Sequence, residues 1–188
     1  MARSGMEQRM SKERLIAILK DKSVKVGTFT LASGKTSDFY VDARQTTLSS
    51  EGALVIADLL LDLLHPDIVG IGGPVTGAIP IVGSTILRAE QQGRSLSGFM
   101  VRKSVKGHGT GNMVEGLGSL PAGSKVCMVE DTVTTAGSLV KAIRFAEEAG
   151  LNVVQCISIV DREEGAQETM AAAGFDLLSL TTKTELMA

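Results

Sequence analysis

From Asp67 onward the chain alternates short apolar runs with helical stretches, and this rhythm leaves very few folds open to it. Asp67-Ile68-Val69-Gly70-Ile71 reads as a strand. A Gly/Pro-broken loop, Gly72-Gly73-Pro74-Val75-Thr76-Gly77, leads into a helix that runs to about Gln92. Leu96–Arg102 is strand-like, Lys103–Asn112 a loop, Lys125–Glu130 a strand, and Ala136–Ala149 a helix stopped by Gly150. Asn152–Val160 is another strand, Ala166–Ala173 a short helix stopped by Gly174, and Phe175–Leu180 a final strand-like run. Short apolar strands separated by helices imply a parallel sheet covered on both faces, hence an α/β fold. Ligands of such sheets bind at the carboxyl ends of the strands.

Residues 1–48 lack this rhythm. Ser11 is positioned to cap a helix over Lys12–Lys20, and residues 21–48 read as turns and short strands. Ser50 is positioned to cap a helix over Glu51–Leu64, with Glu51, Asp58 and Asp62 on one side and leucines on the other. The expected organisation is a small N-terminal lobe, residues 1–48, and a single compact α/β core, residues 49–188. The last strand is a candidate to join the lobe.

Charge and cysteine content exclude several classes. A net charge of −2 over 188 residues gives no global affinity for nucleic acid or an anionic membrane. Cys127 and Cys156 each sit in an apolar run and read as buried, reduced thiols rather than a disulfide framework. Residues Met1–Glu7 contain no apolar run like that of a signal peptide, and no apolar stretch approaches a membrane span. A cytoplasmic location is the default expectation.

One segment concentrates chemistry. In Val126-Cys127-Met128-Val129-Glu130-Asp131-Thr132-Val133-Thr134-Thr135-Ala136-Gly137-Ser138, a buried strand runs into two adjacent carboxylates. A loop of hydroxyls and small residues follows and opens a helix. The helix N-terminus offers unpaired N–H groups and the positive end of a dipole to a phosphate. Thr134, Thr135 and Ser138 add hydroxyl donors, while Ala136 and Gly137 allow close backbone approach. The acids then lie where they accept hydrogen bonds from sugar hydroxyls, a combination suited to ribose 5-phosphate. An ordinary strand–helix connection with an acidic cap is the alternative for the loop taken alone. The segment is neither a Walker loop nor a dinucleotide fingerprint.

A second segment is defined by what it lacks. Between Gln91 and Val114 there is no Asp or Glu, while Arg94, Arg102, Lys103, Lys106 and His108 all fall there. Lys106-Gly107-His108-Gly109-Thr110-Gly111-Asn112 alternates glycine with polar residues and cannot pack a core. It reads either as a solvated surface loop or as a lid that brings cations onto a polyanion and excludes water.

The strand–acid–Asp–loop pattern resembles the phosphoribosyl-pyrophosphate signature of the type I phosphoribosyltransferases, and Arg102-Lys103-x-x-Lys106-Gly107-His108-Gly109 is similar to the catalytic loop of the orotate phosphoribosyltransferases. Phe29-Thr30-Leu31-x-Ser33-Gly34-Lys35-x-Ser37 resembles that family's N-terminal hood, Gly72–Pro80 its pyrophosphate loop, and Val160-Asp161-Arg162-Glu163 the segment whose arginine meets the orotate carboxylate. The resemblance spans residues 26–165.

It implies a parallel-sheet type I phosphoribosyltransferase core with a small hood, acting on phosphoribosyl pyrophosphate and orotate. It also implies a homodimer whose loop crosses into the partner's active site. The implied reaction displaces pyrophosphate from C1′ of the ribose by N1 of orotate. Arg102, Lys103, Lys106 and His108 are then expected to close over the diphosphate. Mg²⁺ bridges that diphosphate with no direct protein ligand. Glu130 and Asp131 hold the ribose hydroxyls, and Thr132, Val133, Thr134, Thr135, Ala136, Gly137 and Ser138 hold the 5-phosphate. Thr134 and Arg162 contact orotate, and Lys103 and Asp131 are the catalytic candidates. The chain departs from the family at Ala32 and Gly77, where many relatives carry lysine, and at Ala136, where glycine is usual. A purine or uracil phosphoribosyltransferase, or a regulator that senses the diphosphate without catalysis, are the alternative readings. The few aromatic residues weigh against purine stacking.

Overall fold

The computed structural model describes residues 5–30, 36–104 and 112–188. In chain order the helices are α1 (Gly5–Lys22), α2 (Arg44–Thr47), α3 (Ser50–Leu63), α4 (Ala78–Gln91), α5 (Gly137–Glu148), α6 (Ala166–Ala172) and α7 (Lys183–Met187). The strands are β1 (Val24–Thr30), β2 (Thr36–Val41), β3 (Gly70–Pro74), β4 (Ser97–Val101), β5 (Val114–Glu115), β6 (Lys125–Val133), β7 (Asn152–Asp161) and β8 (Leu177–Thr182). β1 and β2 pair antiparallel as a separate ribbon. The other six form one sheet in the order β5-β4-β3-β6-β7-β8, parallel except for β5. The expected α/β class with a mainly parallel sheet is therefore observed.

The alternation of side chains along the strands explains the layering. Cys127 and Val129 of β6 and Ile157 and Ile159 of β7 point to one face, where they pack with Leu15 and Leu19 of α1, Ile56 and Leu60 of α3 and Ile81 of α4. Val126 and Met128 point to the other, against Leu139 and Ile143 of α5 and Met170 of α6. Each of these side chains is essentially inaccessible to water.

Several boundaries differ from the sequence reading, each for a tertiary reason. Gly72-Gly73-Pro74 belongs to β3 and is not a loop. A Cβ at Gly72 would come within 2.5 Å of the Phe99 ring, and one at Gly73 would run into the Val129 carbonyl oxygen. These glycines let β3 lie close to β4 and β6. The strand begins at Gly70 rather than Asp67, because Pro66 and Asp67 form a turn closed by the Ile68 N–H donating to His65 O at 3.0 Å.

β6 extends past the expected Glu130 to Val133, and Glu130 sits in register with Ser158 of β7. α1 starts well before Ser11, supported by an Arg9–Glu13 pair one turn apart and by Lys12 bonded to Glu185 of α7 at 2.7 Å. Ser49, not Ser50, caps α3 by accepting from Gly52 N at 3.2 Å. The acids of α3 do not share one wet side: Glu51 is exposed, Asp62 half-buried and Asp58 buried. Val55 through Leu61 are all buried between α1 and α4, and Asp58 accepts from Arg88 Nε at 2.8 Å. β8 pairs with β7 at the edge of the main sheet.

Candidate active site

The sheet order reverses between β3 and β6: β4 lies beyond β3 on one side, while β7 and β8 follow β6 on the other. At such a switch point the loops leaving the two strands diverge and open a crevice at their carboxyl ends. A cleft of about 300 Å³ lies there. Tyr40–Arg44, at the end of β2 and just beyond it, form one wall, and Pro74–Gly77, leaving β3, form another. Glu130, Asp131, Thr132 and Ser138 make its floor, and Lys103 stands at the rim.

The floor is built by β6. Four inaccessible apolar residues, Val126–Val129, fix the strand centrally, so the next two side chains arrive at the cleft at a determined height. Glu130 is only 8% exposed. Burial pushes its carboxyl up to about 9, and the charge of Asp131 beside it adds to the rise, while Lys103 opposes it. The folded protein therefore favours the protonated form of Glu130. Asp131 Oδ1 accepts from Thr132 N at 2.9 Å. The Thr132 hydroxyl is buried without a hydrogen-bond partner and faces the same floor.

Gly77 is tightly bound up with this floor. A Cβ there would collide with the Asp131 carboxylate. A lysine at this position would force Asp131 to rotate away, so the departure from the family at residue 77 is sterically coupled to how Asp131 is held. The Val75–Thr76 peptide in the same wall is cis.

Beyond β6, Thr134 is half-buried and Thr135 exposed, and Ala136 takes the left-handed conformation (φ 56°) as the N-cap of α5. No side chain caps α5, so its first N–H groups face outward beside Ser138. An alanine in the left-handed region costs about 1–2 kcal/mol. Ala136→Gly is therefore expected to raise stability by up to about 1 kcal/mol, visible as a higher melting temperature; a fall would mean that the alanine methyl, 3% exposed, contributes more by packing than the backbone loses.

The remaining candidates are spread around this centre. Val133 is buried and can offer only its backbone to a ligand. Arg102 does not line the cleft; its Nε donates to Glu115 Oε1 at 3.0 Å. Lys106 and His108 lie outside the described residues, as do residues 31–35 of the hood motif. Arg162 follows β7 and donates its backbone N–H to Val133 O at 3.0 Å, which sets it beside Thr134. Its side chain is 11% exposed and its Nη2 lies 2.9 Å from Glu164 Oε1. That contact is off a hydrogen-bond line, and both Nε and Nη2 are buried without acceptors.

The sequence reading missed Tyr40, Asp42 and Arg44. They lie more than eighty residues from the acids, in a segment whose pattern suggested only turns. Asp42 accepts from Arg44 Nε at 2.7 Å, and this hydrogen bond holds its carboxyl below the usual range. The adjacent charges at Asp42 and Arg44 were the available signal.

Comparison with known proteins identifies relatives of the whole chain. The family described as phosphoribosyl transferase domain matches residues 51–175. An orotate phosphoribosyltransferase of Rhodopseudomonas palustris is 40% identical over 97% of this chain and 99% of its own length. A phosphoribosyltransferase from Corynebacterium diphtheriae superposes with a TM-score of 0.81 at 33% identity, covering 95% of this chain and 99% of that one. An orotate phosphoribosyltransferase of Mycobacterium tuberculosis, solved with 5-phospho-α-D-ribosyl 1-diphosphate, gives 0.76 at 30% identity over the same shares.

Proposed function

The chain belongs to the orotate phosphoribosyltransferase family, and from that premise we propose that it transfers the ribose 5-phosphate group of phosphoribosyl pyrophosphate to orotate, giving orotidine 5′-phosphate and pyrophosphate for pyrimidine nucleotide synthesis. The observation that carries this reading is the convergence of an acid pair, an uncapped helix N-terminus and cations at the switch point of the sheet.

The uncapped N-terminus of α5, with Thr132–Ser138, binds the 5-phosphate. Asp131 and Glu130 accept from the ribose hydroxyls. The negative charge that they share opposes the positive charge developing on the sugar. Lys103, with Arg102, Lys106 and His108 on the same loop, meets the departing diphosphate and keeps out water that would otherwise hydrolyse the activated sugar. Arg162 pairs with the orotate carboxylate, and Thr134 lies next to it. Mg²⁺ is a hard cation with about six oxygen ligands. The two carboxylates of the floor fit it as partial ligands or as acceptors from its waters, with diphosphate oxygens supplying the rest. When bound, it adds charge neutralisation at the leaving group.

A homodimer that shares its loops is the assembly we favour. Exposed apolar side chains of α4 and β4, Ile79, Leu87 and Met100, support it. A cytoplasmic setting is supported by Cys127 and Cys156, both free and buried, with burial pushing Cys156 up to about 12. No helix among the described residues is long and apolar enough to cross a membrane.

The function is tested by incubating the protein with Mg²⁺, phosphoribosyl pyrophosphate and orotate, uracil, hypoxanthine or adenine in turn, and following each base's absorbance. Orotate alone is expected to be consumed. Turnover of another base with none of orotate would overturn the assignment.

A further inference from the structure

The cleft holds two cations among its described lining residues, Lys103 and Arg44. They are held very differently. Lys103 lies near the end of the described stretch before residues 105–111. Arg44 opens α2, whose Thr46 and Thr47 are buried against the body of the protein. Its guanidinium is also clamped. Nε donates to Asp42 Oδ1 at 2.7 Å and Nη2 to Asp42 Oδ2 at 3.3 Å, while the Arg44 backbone N–H reaches Oδ1 at 3.3 Å. Gln45 Nε2 in turn holds Asp42 Oδ2 at 3.3 Å.

These contacts occupy one edge of the guanidinium. Nη1 makes no hydrogen bond among the described residues, and the side chain is 52% exposed on the cleft side. Asp131 across the floor lies near enough for its charge to favour the Arg44 cation.

Charge counting gives the clamped arginine a purpose. Asp42 faces Arg44, and the two acids Glu130 and Asp131 share the lining with Lys103, so the described lining carries no excess of positive charge before substrate enters. A diphosphate entering this space needs directed donors more than net charge, and a planar guanidinium with a free edge matches two phosphate oxygens.

We propose that Arg44 binds the diphosphate of the phosphoribosyl donor, with Asp42 as the residue that positions it. The hood wall then supplies a preorganised anion contact opposite Lys103. This inference rests on the transferase reading above.

The test is steady-state kinetics of Arg44→Gln and Arg44→Lys in the full chain, with calorimetric titration of inorganic pyrophosphate in the presence of Mg²⁺. Loss of a charge-assisted contact is expected to raise the KM for phosphoribosyl pyrophosphate about 10–100-fold in Arg44→Gln. Pyrophosphate affinity should weaken by a similar factor, while the KM for orotate stays within about twofold, as expected when only uniform binding of one substrate is lost. Arg44→Lys keeps the charge and the pairing with Asp42, and should recover part of the loss.

An unchanged donor KM and pyrophosphate affinity in Arg44→Gln would overturn the proposal. So would equal losses for both substrates that lysine does not relieve, since that pattern belongs to a structural residue. If Arg44→Gln does not fold, the lysine variant decides: a donor KM equal to wild type there, with unchanged pyrophosphate affinity, also counts against a forked contact. Should the wild-type chain bind pyrophosphate through Arg44 yet consume no orotate, the choice of base fails and the diphosphate site stands.

Discussion

Changing both Glu130 and Asp131 to alanine is expected to lower turnover at least about 10³-fold while leaving the protein folded, because among the described residues of the floor these two carboxylates are the groups that can oppose positive charge on the sugar. The fold should tolerate the change. Neither carboxylate supports a neighbouring element: Asp131 bonds the backbone of the next residue, and Glu130 interacts chiefly with Asp131. Circular dichroism and melting should therefore match wild type near pH 5. Full activity in the double variant would mean that the ribose binds elsewhere.

Glu130 also leaves a signature in pH. Its carboxyl is raised from 4.5 to about 9, so the folded state favours the protonated form. Between those values the native protein binds more protons than the unfolded chain, and stability falls as pH rises. A tenfold difference in proton affinity between the folded and unfolded chain is worth about 1.4 kcal/mol, so a few kcal/mol should be lost between about pH 5 and 9. Glu130→Gln removes the titration. Its melting temperature should exceed that of wild type at pH 8.5 and approach it at pH 5. Parallel curves for the two proteins would mean that Glu130 ionises as an ordinary carboxylate.

Arg162→Ala is expected to raise the KM for orotate about 30–5,000-fold, since truncating one member of a buried, hydrogen-bonded charge pair costs about 2–5 kcal/mol. The ligand-free protein should not suffer with it. Among the described residues Arg162 Nε and Nη2 are buried without a hydrogen-bond acceptor, the Glu164 contact being an ion pair alone, and this arrangement costs stability until an anion arrives. Removing the side chain should leave the melting temperature unchanged or raise it. The opposition of the two effects is the diagnostic. A fall in stability with no change in orotate KM would assign Arg162 to holding Glu164 and the loop after β7.

Much of the protein can be read from its sequence because the relevant signals are local. Near-continuous apolar runs mark β6 and β7, and Gly150 and Gly174 stop their helices within a residue or two of the observed ends. The acid pair and the loop that opens α5 lie on contiguous residues, so their spacing marks a ribose-phosphate segment, while the arginine after β7 is singled out by the family resemblance. What escapes depends on groups distant in the chain. The bounds of β3 are not legible because its glycines have meaning only against the Phe99 ring and the Val129 carbonyl. The acids of α3 suggest one wet side, yet Asp58 is buried while Glu51 stays exposed, because α1 and α4 both pack on that helix.

The same division runs through the site. From sequence alone came the parallel α/β class, the ribose-phosphate segment and the candidate for orotate. Tertiary structure alone decided that Tyr40–Arg44 wall the cleft, that Asp131 lies against Gly77, that Glu115 engages Arg102, and that Glu130 is neutral at pH 7. Periodicity and motif are properties of neighbours along the chain, whereas desolvation, steric exclusion and charge pairing exist only after folding has brought remote residues together.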